Sequence, residues 1–417
     1  MSKCTIWRIG AVSAAVLLGL TTLCAVDRAN AQVSDHVIKI GVLGDQSGVV
    51  ADIGGPGSVI AARMAVADAG AKAAGAPVEI VVGDHQNKPD VATAIAQHWF
   101  DVEGVDAVVD LPHTGVVLAL RNIADAKKRI LMVSGAASAQ ITGKSCSRYV
   151  THWTDDTYAL ANGTASVIAK TYPGASWFFL TADYSFGYDL ERDATATITA
   201  LGGKVAGSAK HPLNTADFSS FLLSAQSSGA GIIGLASAGA DTVNIVKQAK
   251  EFSLEHSGAR LAALHAFVTD VNGLGLDVAQ GLVVTEGFYW DDNEGTRSFA
   301  KRFFAAHGRM PSREQAGVYA SVRHYLKAVD AAGTDDADAV AAAMKRLPVE
   351  RFGTPAQIQA NGRVVYDLGV YKVKAPDQSQ YPWDYYKKIA TIPGSEAFRA
   401  ADASGCELVP PTARATQ

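Results

Sequence analysis

The chain has 417 residues, 37 of them basic and 41 acidic, for a net charge of −4, and 48% are hydrophobic. That length is enough for two domains of ordinary size. The mild acidic excess argues against nucleic acid or an anionic membrane as the main partner. Small molecules and other proteins remain.

The first residues carry a targeting pattern. Lys3 and Arg8 supply a basic start, residues 9–23 form an apolar run, and Ala29-Asn30-Ala31 is a small-x-small cleavage site. This pattern predicts a secretory signal peptide over residues 1–31, removed on export to the periplasm. The run is short for a bilayer span, and no later segment is long and apolar enough to be one. Cys24 would suit a lipid anchor, but Thr21-Thr22-Leu23 before it lacks the small residue such processing needs. Cys4 and Cys24 leave with the signal. Cys146 and Cys406 remain, and two cysteines in an oxidising compartment predict a disulfide, two free thiols being the alternative.

From residue 37 onward, short β-rich runs alternate with helical patterns. Strands are expected at 37–43, 78–82, 107–111 and 130–134, and helices at 53–74, 90–102 and 115–128. After Trp153 the rhythm restarts, with helices at 156–172 and 188–201 and from Asp217 and Asp241. The strands of this half are expected at 176–182, 204–209, 231–237 and 260–267, with a β-rich run at 281–290. Helices at 296–307, 312–332 and 335–347 follow, then the alternating run GRVVYDLGVYKVKA, suited to an antiparallel or edge strand.

The β-α order implies an α/β fold of two Rossmann-like lobes, each a parallel sheet covered by helices and joined by a multi-strand hinge. The first lobe is expected from residues 32–151 and 287–349, and the second from 152–286 and 350–374. A tail of residues 375–417 would wrap the surface, anchored through Cys406.

Signatures of chemistry fail on spacing. Gly143-Lys144-Ser145 echoes a phosphate loop, but the glycine required five residues earlier is Ser138. No G-x-S-x-G offers a hydrolase nucleophile, and a disulfide would consume the Cys146 thiol. The ten histidines show no zinc spacing. Gly54-Gly55-Pro56-Gly57 lacks dinucleotide-binding spacing and reads as a turn before a helix. No cofactor or metal site is expected, and no enzyme.

In open parallel sheets ligands bind beyond the carboxyl ends of the strands. Those ends carry small polar residues beside aromatics, which admit a ligand to backbone N–H groups and wall it in. In the first half they are Ser47 in Gly44–Gly48, then Pro112-His113-Thr114-Gly115, Ala136 and Ser138, and Trp153. In the second half they are Tyr184 and Phe186, Ser237, Phe267 with Asp270, and Tyr289 in the last β-rich run.

Seven segments in order carry a family resemblance: IKIGVLGDQSG with GGPGSVIAARMAVADA, GDHQNKPDVATAIAQ, ILMVSGAASAQIT, FFLTADYSFGYDLERDA, GADTVNIVKQAKE, AQGLVVTEGFYW and GRVVYDLGVYKVK. From about Val37 to Lys374 the chain resembles type I periplasmic substrate-binding proteins of ABC transporters, in the leucine/isoleucine/valine-binding class. The resemblance implies a ligand in the cleft that draws the lobes together. It implies a carboxylate held at Thr114, Gly115, Ala136 and Ser138, with Phe186 covering the ligand and Tyr184 close by. The chain departs from amino-acid binders in having Pro112-His113-Thr114-Gly115 after the third strand. The acid that would meet an α-amino group has several candidates, Asp270 first, then Asp241 and Glu286.

The expected function is therefore capture of a small solute, a branched-chain or other amino acid, by a monomer that delivers it to a membrane permease. An aromatic or other apolar carboxylate is the alternative ligand. A sensor that reports its ligand to a receptor is a rival function, and a secreted hydrolase a more distant one.

Overall fold

The computed structural model describes residues 32–410. The expected signal peptide lies outside them, as does the end of the tail. No helix among the described residues is long and apolar enough to cross a membrane.

The first half builds a six-stranded sheet in the order β2-β3-β1-β4-β5-β6. Its strands are β1 (Ile38–Gly44), β2 (Lys72–Ala73), β3 (Ala76–Asp84), β4 (Ala107–Asp110), β5 (Ile130–Val133) and β6 (Val150–His152). All pair in parallel except β2, which folds back antiparallel on β3. Helices α1 (Gly55–Asp68), α2 (Pro89–His98) and α3 (Thr114–Lys127) make the crossovers. The helix expected to reach residue 74 stops at Asp68, where Gly70 takes φ +74° and the chain turns into β2.

After β6 the chain enters a helix running from α4 (Thr157–Leu160) through one π turn into α5 (Ser166–Thr171). The second sheet is four-stranded and parallel, in the order β10-β9-β7-β8. Its strands are β7 (Ser176–Ala182), β8 (Lys204–His211), β9 (Ile232–Ala236) and β10 (Arg260–Ala263). The helices here are α6 (Ser185–Ala200), α7 (Ser219–Ser227), α8 (Gly239–Glu251), α9 (Val268–Leu274) and α10 (Leu276–Ala279). β10 is shorter than the run 260–267 suggested, so His265 and Phe267 lie in the loop beyond it.

β11 (Val283–Glu286) closes this half. The chain then returns to the first sheet with α11 (Glu294–His307), α12 (Arg313–Ala332) and α13 (Ala337–Arg346). α12 buries an apolar face in the first lobe's core, where Val318, Val322, Tyr325 and Val329 are fully buried beside Ile40 and Ala65. The small antiparallel sheet β12 (Val349–Arg351), β13 (Thr354–Ile358) and β14 (Val364–Val365) joins the same core through Val349, Ile358 and Val364. The chain meets the second lobe's core at Tyr371, inside β15 (Leu368–Val373).

The tail is more than a surface wrap. β16 (Tyr386–Ile392) pairs antiparallel with β15, completing the sheet β11-β15-β16. Beyond it α14 (Gly394–Ala397) and Phe398 are buried against the first lobe. Cys406 is bonded to Cys146 in the loop after β5. That bond closes a span of 260 residues, for which chain-entropy models give up to roughly 5 kcal/mol.

The cleft between the lobes as the candidate site

The carboxyl ends of the two parallel sheets face each other, and the lobes are closed together. Val49 O, in the loop after β1, accepts a hydrogen bond from Ala240 N of α8 at 3.0 Å. Gly239 takes φ +59° there, and a Cβ on it would lie 2.4 Å from that same carbonyl oxygen. Only glycine allows this approach. Val49, Val50 and Ile53 of the first lobe form one apolar cluster with Phe267 of the second.

An aromatic row crosses the cleft. His113 of the first lobe stacks on Tyr184 at 4.7 Å, and Tyr184 adjoins Phe186 at 5.8 Å. Phe186 meets His265 at 5.0 Å, and His265 meets Phe267 at 4.7 Å. The Arg313 guanidinium then covers Phe267 at 3.7 Å, returning the row to the first lobe. Arg313 opens α12 and also donates to Ala266 O at 2.8 Å, so it pins the two lobes together.

Around this row several buried polar atoms have no hydrogen-bond partner: Thr114 Oγ1, His113 Nδ1, His85 Nε2, Ser237 Oγ, His265 Nδ1 and Glu314 Oε2. His85 Nδ1 accepts from Asn87 N at 2.9 Å, which leaves its proton on Nε2, the unpartnered atom. Burial lowers the pKa of His85 and of His113 to about 4, so both are neutral donor–acceptors at pH 7. Burial also raises Glu314, and the neighbouring Asp110 carboxyl raises it further. Asp110, at the end of β4 and fully buried, is itself pushed up to about 8 by burial. Unpaired polar groups at this depth cost free energy and are uncommon in native folds.

The helices reinforce this. α3, α6 and α8 begin at the ends of β4, β7 and β9, and none has a side-chain cap. By contrast α11, α12 and α13 are capped by Asn293, Ser312 and Asp336. Uncapped first turns present N–H groups and a positive dipole end to whatever sits beyond them, and in α8 one of these, Ala240 N, is already taken by Val49 O.

The structure brings together His113, Thr114, Tyr184, Phe186, Ser237 and Phe267, with Gly115 directly behind His113. Ala136, in the loop after β5, is buried in the apolar cluster that includes Val116 and Val133. The Ser138 hydroxyl is bonded to Asp189 of α6, which also takes Gln140 Nε2 at 2.6 Å. Ser138 therefore ties the lobes near their crossing. Asp270 caps α9 by accepting from Phe267 N at 3.0 Å. Ser47 is exposed.

Trp153 and Tyr289 lie elsewhere. The Trp153 indole donates to Thr151 Oγ1 at 2.8 Å within the first core, and the Tyr289 hydroxyl donates to Trp383 O at 3.1 Å in the second. The sequence reading missed His85, His265, Arg313 and Glu314. The signal for the last two was the cap Ser312-Arg313-Glu314-Gln315, which places two opposite charges in the first turn of a helix whose later turns bury mostly apolar side chains.

Two α/β lobes crossed by several connecting segments, closed over an aromatic and polar cleft, define a bilobal solute-binding protein. Residues 37–379 match the family model described as periplasmic binding protein, and the chain belongs to that family. It is similar to a periplasmic binding protein from Burkholderia mallei, at 45% identity over 90% of this chain and 99% of that one, with a TM-score of 0.88. It is also similar to a branched chain amino acid ABC transporter periplasmic ligand-binding protein from Burkholderia xenovorans LB400. There the identity is 38% over 89% of this chain and 99% of that one, with a TM-score of 0.78. A solute binding protein of an ABC transporter from Rhodopseudomonas palustris BisB5, solved with 3,4-dihydroxy benzoic acid, shares the fold. It is 22% identical over 86% of this chain and 98% of that one, with a TM-score of 0.76. No curated protein sequence matches the chain.

Proposed function

We propose that the protein is the substrate-binding component of an ABC importer, that it works in the periplasm as a monomer, and that its ligand is an amino acid. The observation that carries this is the pairing of chemistries in one closed cleft. Unpartnered donors stand at the uncapped start of α3, and a buried carboxyl whose Oε2 has no hydrogen-bond partner, Glu314, stands at the start of α12 near the Asp110 carboxyl. A carboxylate on the ligand would take the Thr114 hydroxyl and the free N–H groups of α3, where the helix dipole favours an anion. An ammonium would ionise Glu314 and remove the penalty of a buried acid without a counter-charge. The aromatic row would wall the side chain. This arrangement supports the amino-acid reading, as does the similarity to the branched chain amino acid ABC transporter periplasmic ligand-binding protein of Burkholderia xenovorans.

The mechanism is hinge closure. Contacts such as Ala240 N to Val49 O exist only when the lobes meet, so a ligand held by both lobes shifts the population toward the closed form. That form is what the membrane permease would read. No step of covalent chemistry is involved.

The aromatic row supports a second reading, an aromatic carboxylate, in line with the benzoate-type ligands of the Rhodopseudomonas palustris proteins. A melting-temperature screen of amino acids against benzoates separates the two. A ligand at a hundred times its dissociation constant adds about 2.7 kcal/mol. Stabilisation by amino acids is expected. Stabilisation by benzoates alone would replace the first reading with the second, and none by either class would defeat both.

A further inference from the structure

The second lobe has a recess of its own, at the end of its sheet away from the cleft. Its volume is about 640 Å³, within the roughly 300–1,000 Å³ typical of small-molecule sites. Arg260 and Leu261, which open β10, stand in its wall, whereas the far end of that strand runs on to His265 and Phe267 in the cleft. None of the cleft's aromatic row borders it.

The wall is apolar where it is deepest. Ile168 of α5, Val246 of α8, and Leu254 and Leu282 in the connections are buried there, and Leu261 and Val283 are half-buried. Tyr172 and Ile389, in the same wall, are 38% and 45% exposed, large apolar side chains left facing water.

The ionisable groups around the recess are mostly basic. The Arg260 guanidinium lies over the Tyr172 ring at 4.7 Å, and its Nη1 donates to Gly258 O at 3.4 Å. Lys372 of β15, opposite Val283 of β11, is exposed. Neither cation has an ion pair among the described residues. Lys250, in the last turn of α8, opposes that helix's negative dipole end and is already partnered. Against these stands one acid among the described residues of the wall, Asp277. Apolar walls beneath unpaired cations suit a molecule that is apolar along its length and anionic at one end.

We infer that this recess is a second binding site, separate from the cleft, for an amphipathic acid of the fatty-acid type. Its chain lies against Ile168, Leu261 and Val283, and its carboxylate is met by Arg260 and Lys372. Burial of the chain dominates, with up to about fourfold in affinity for each methylene. Each exposed cation adds roughly two- to fivefold.

The test is calorimetry on the full chain without residues 1–31, with hexanoate and octanoate, and 1-octanol as the uncharged match. Thr114→Val disables the cleft donor, and Arg260→Gln with Lys372→Gln in one chain removes the cations of the recess. Octanoate should bind wild type and Thr114→Val alike, more tightly than hexanoate, and about tenfold more weakly in the double variant. Binding lost in Thr114→Val but unchanged in the double variant would place octanoate in the cleft and overturn the proposal. So would no binding, or equal affinity for 1-octanol. Methyl spectra of wild type locate the ligand without any variant. Saturable shifts at Ile168, Leu261 and Val283 support the site, and shifts confined to Val49, Val50 and Ile53 of the cleft refute it.

Discussion

Two buried polar regions lie side by side, and they differ in how their groups are paired. Beneath the cleft, where the chain crosses between lobes, Arg313 stands 3.0 Å from Asp155 and 2.9 Å from Glu286. Nearby Arg363 stands 3.6 Å from Asp156, and the Tyr366 hydroxyl donates to Trp153 O at 3.1 Å. Burial opposes the charge on Arg313, but Asp155 and Glu286 outweigh it and raise its pKa. In the cleft, Thr114, His85, Ser237 and Glu314 are equally buried, and Thr114 Oγ1, His85 Nε2, Ser237 Oγ and Glu314 Oε2 have no hydrogen-bond partner. Burial alone therefore does not mark a site. Beneath the cleft the buried charges face opposite charges within 3.6 Å, even though Arg313 Nη2, Arg363 Nη1 and both Asp155 oxygens make no hydrogen bond, whereas among the described residues no ion pair reaches Glu314.

Breaking the paired region should have the largest effect. Arg313→Met leaves Asp155 and Glu286 without their cation, and losing one member of a buried pair costs about 3–5 kcal/mol. Urea unfolding should show that loss without ligand present. A variant as stable as wild type would mean the hinge does not depend on this network.

Gly239→Ala acts on closure. Its methyl would press on Val49 O, and alanine at φ +59° adds a smaller strain of its own. Ligand affinity should fall by about a hundredfold while the melting temperature of the ligand-free protein changes little. Wild-type affinity would show that the Val49–Ala240 contact is not part of the bound state.

The smallest effect is in the pH dependence. Asp110 has a folded pKa of about 8, above its unfolded value, so its contribution to stability is complete at low pH and is lost as pH rises toward 8. His85 and His113 are shifted the other way, to about 4, and lose stability only as pH falls below their unfolded value. Above about pH 6.5 the carboxyls therefore dominate. Stability of the ligand-free protein should drop on going from about pH 6.5 to 8.5, by on the order of 1–2 kcal/mol from Asp110 alone. Asp110→Asn should flatten that slope, and an unchanged slope would assign the titration to another group.

Much of this was readable in the chain itself. Alternation of apolar strands and amphipathic helices is local, so both parallel sheets and the return of residues 294–346 to the first lobe follow from it. Residues that face the cleft were readable where a strand end places them, as at His113, Thr114, Tyr184 and Phe186. They were not readable where the contact is made between distant segments. Glu314 looks like an ordinary acid in the first turn of a capped helix, and its isolation among Asp110, Arg313 and Tyr184 appears only when the lobes meet. Trp153 and Tyr289 looked alike in sequence to Phe186, yet their polar tips are satisfied inside their own lobes. β16 went unseen because Lys387 and Lys388 interrupt its apolar alternation, and it is specified by pairing with β15.

The central claim is that Glu314 meets the ammonium of an amino acid. It is tested most directly by calorimetric titration of wild type and Glu314→Gln with the amino acid that most raises the melting temperature. Truncating one partner of a buried charge pair typically costs 2–5 kcal/mol, so binding should weaken by about a hundredfold or more while the fold stays intact. Equal affinity in the two proteins would contradict the account and leave Glu314 a buried acid with no part in recognition.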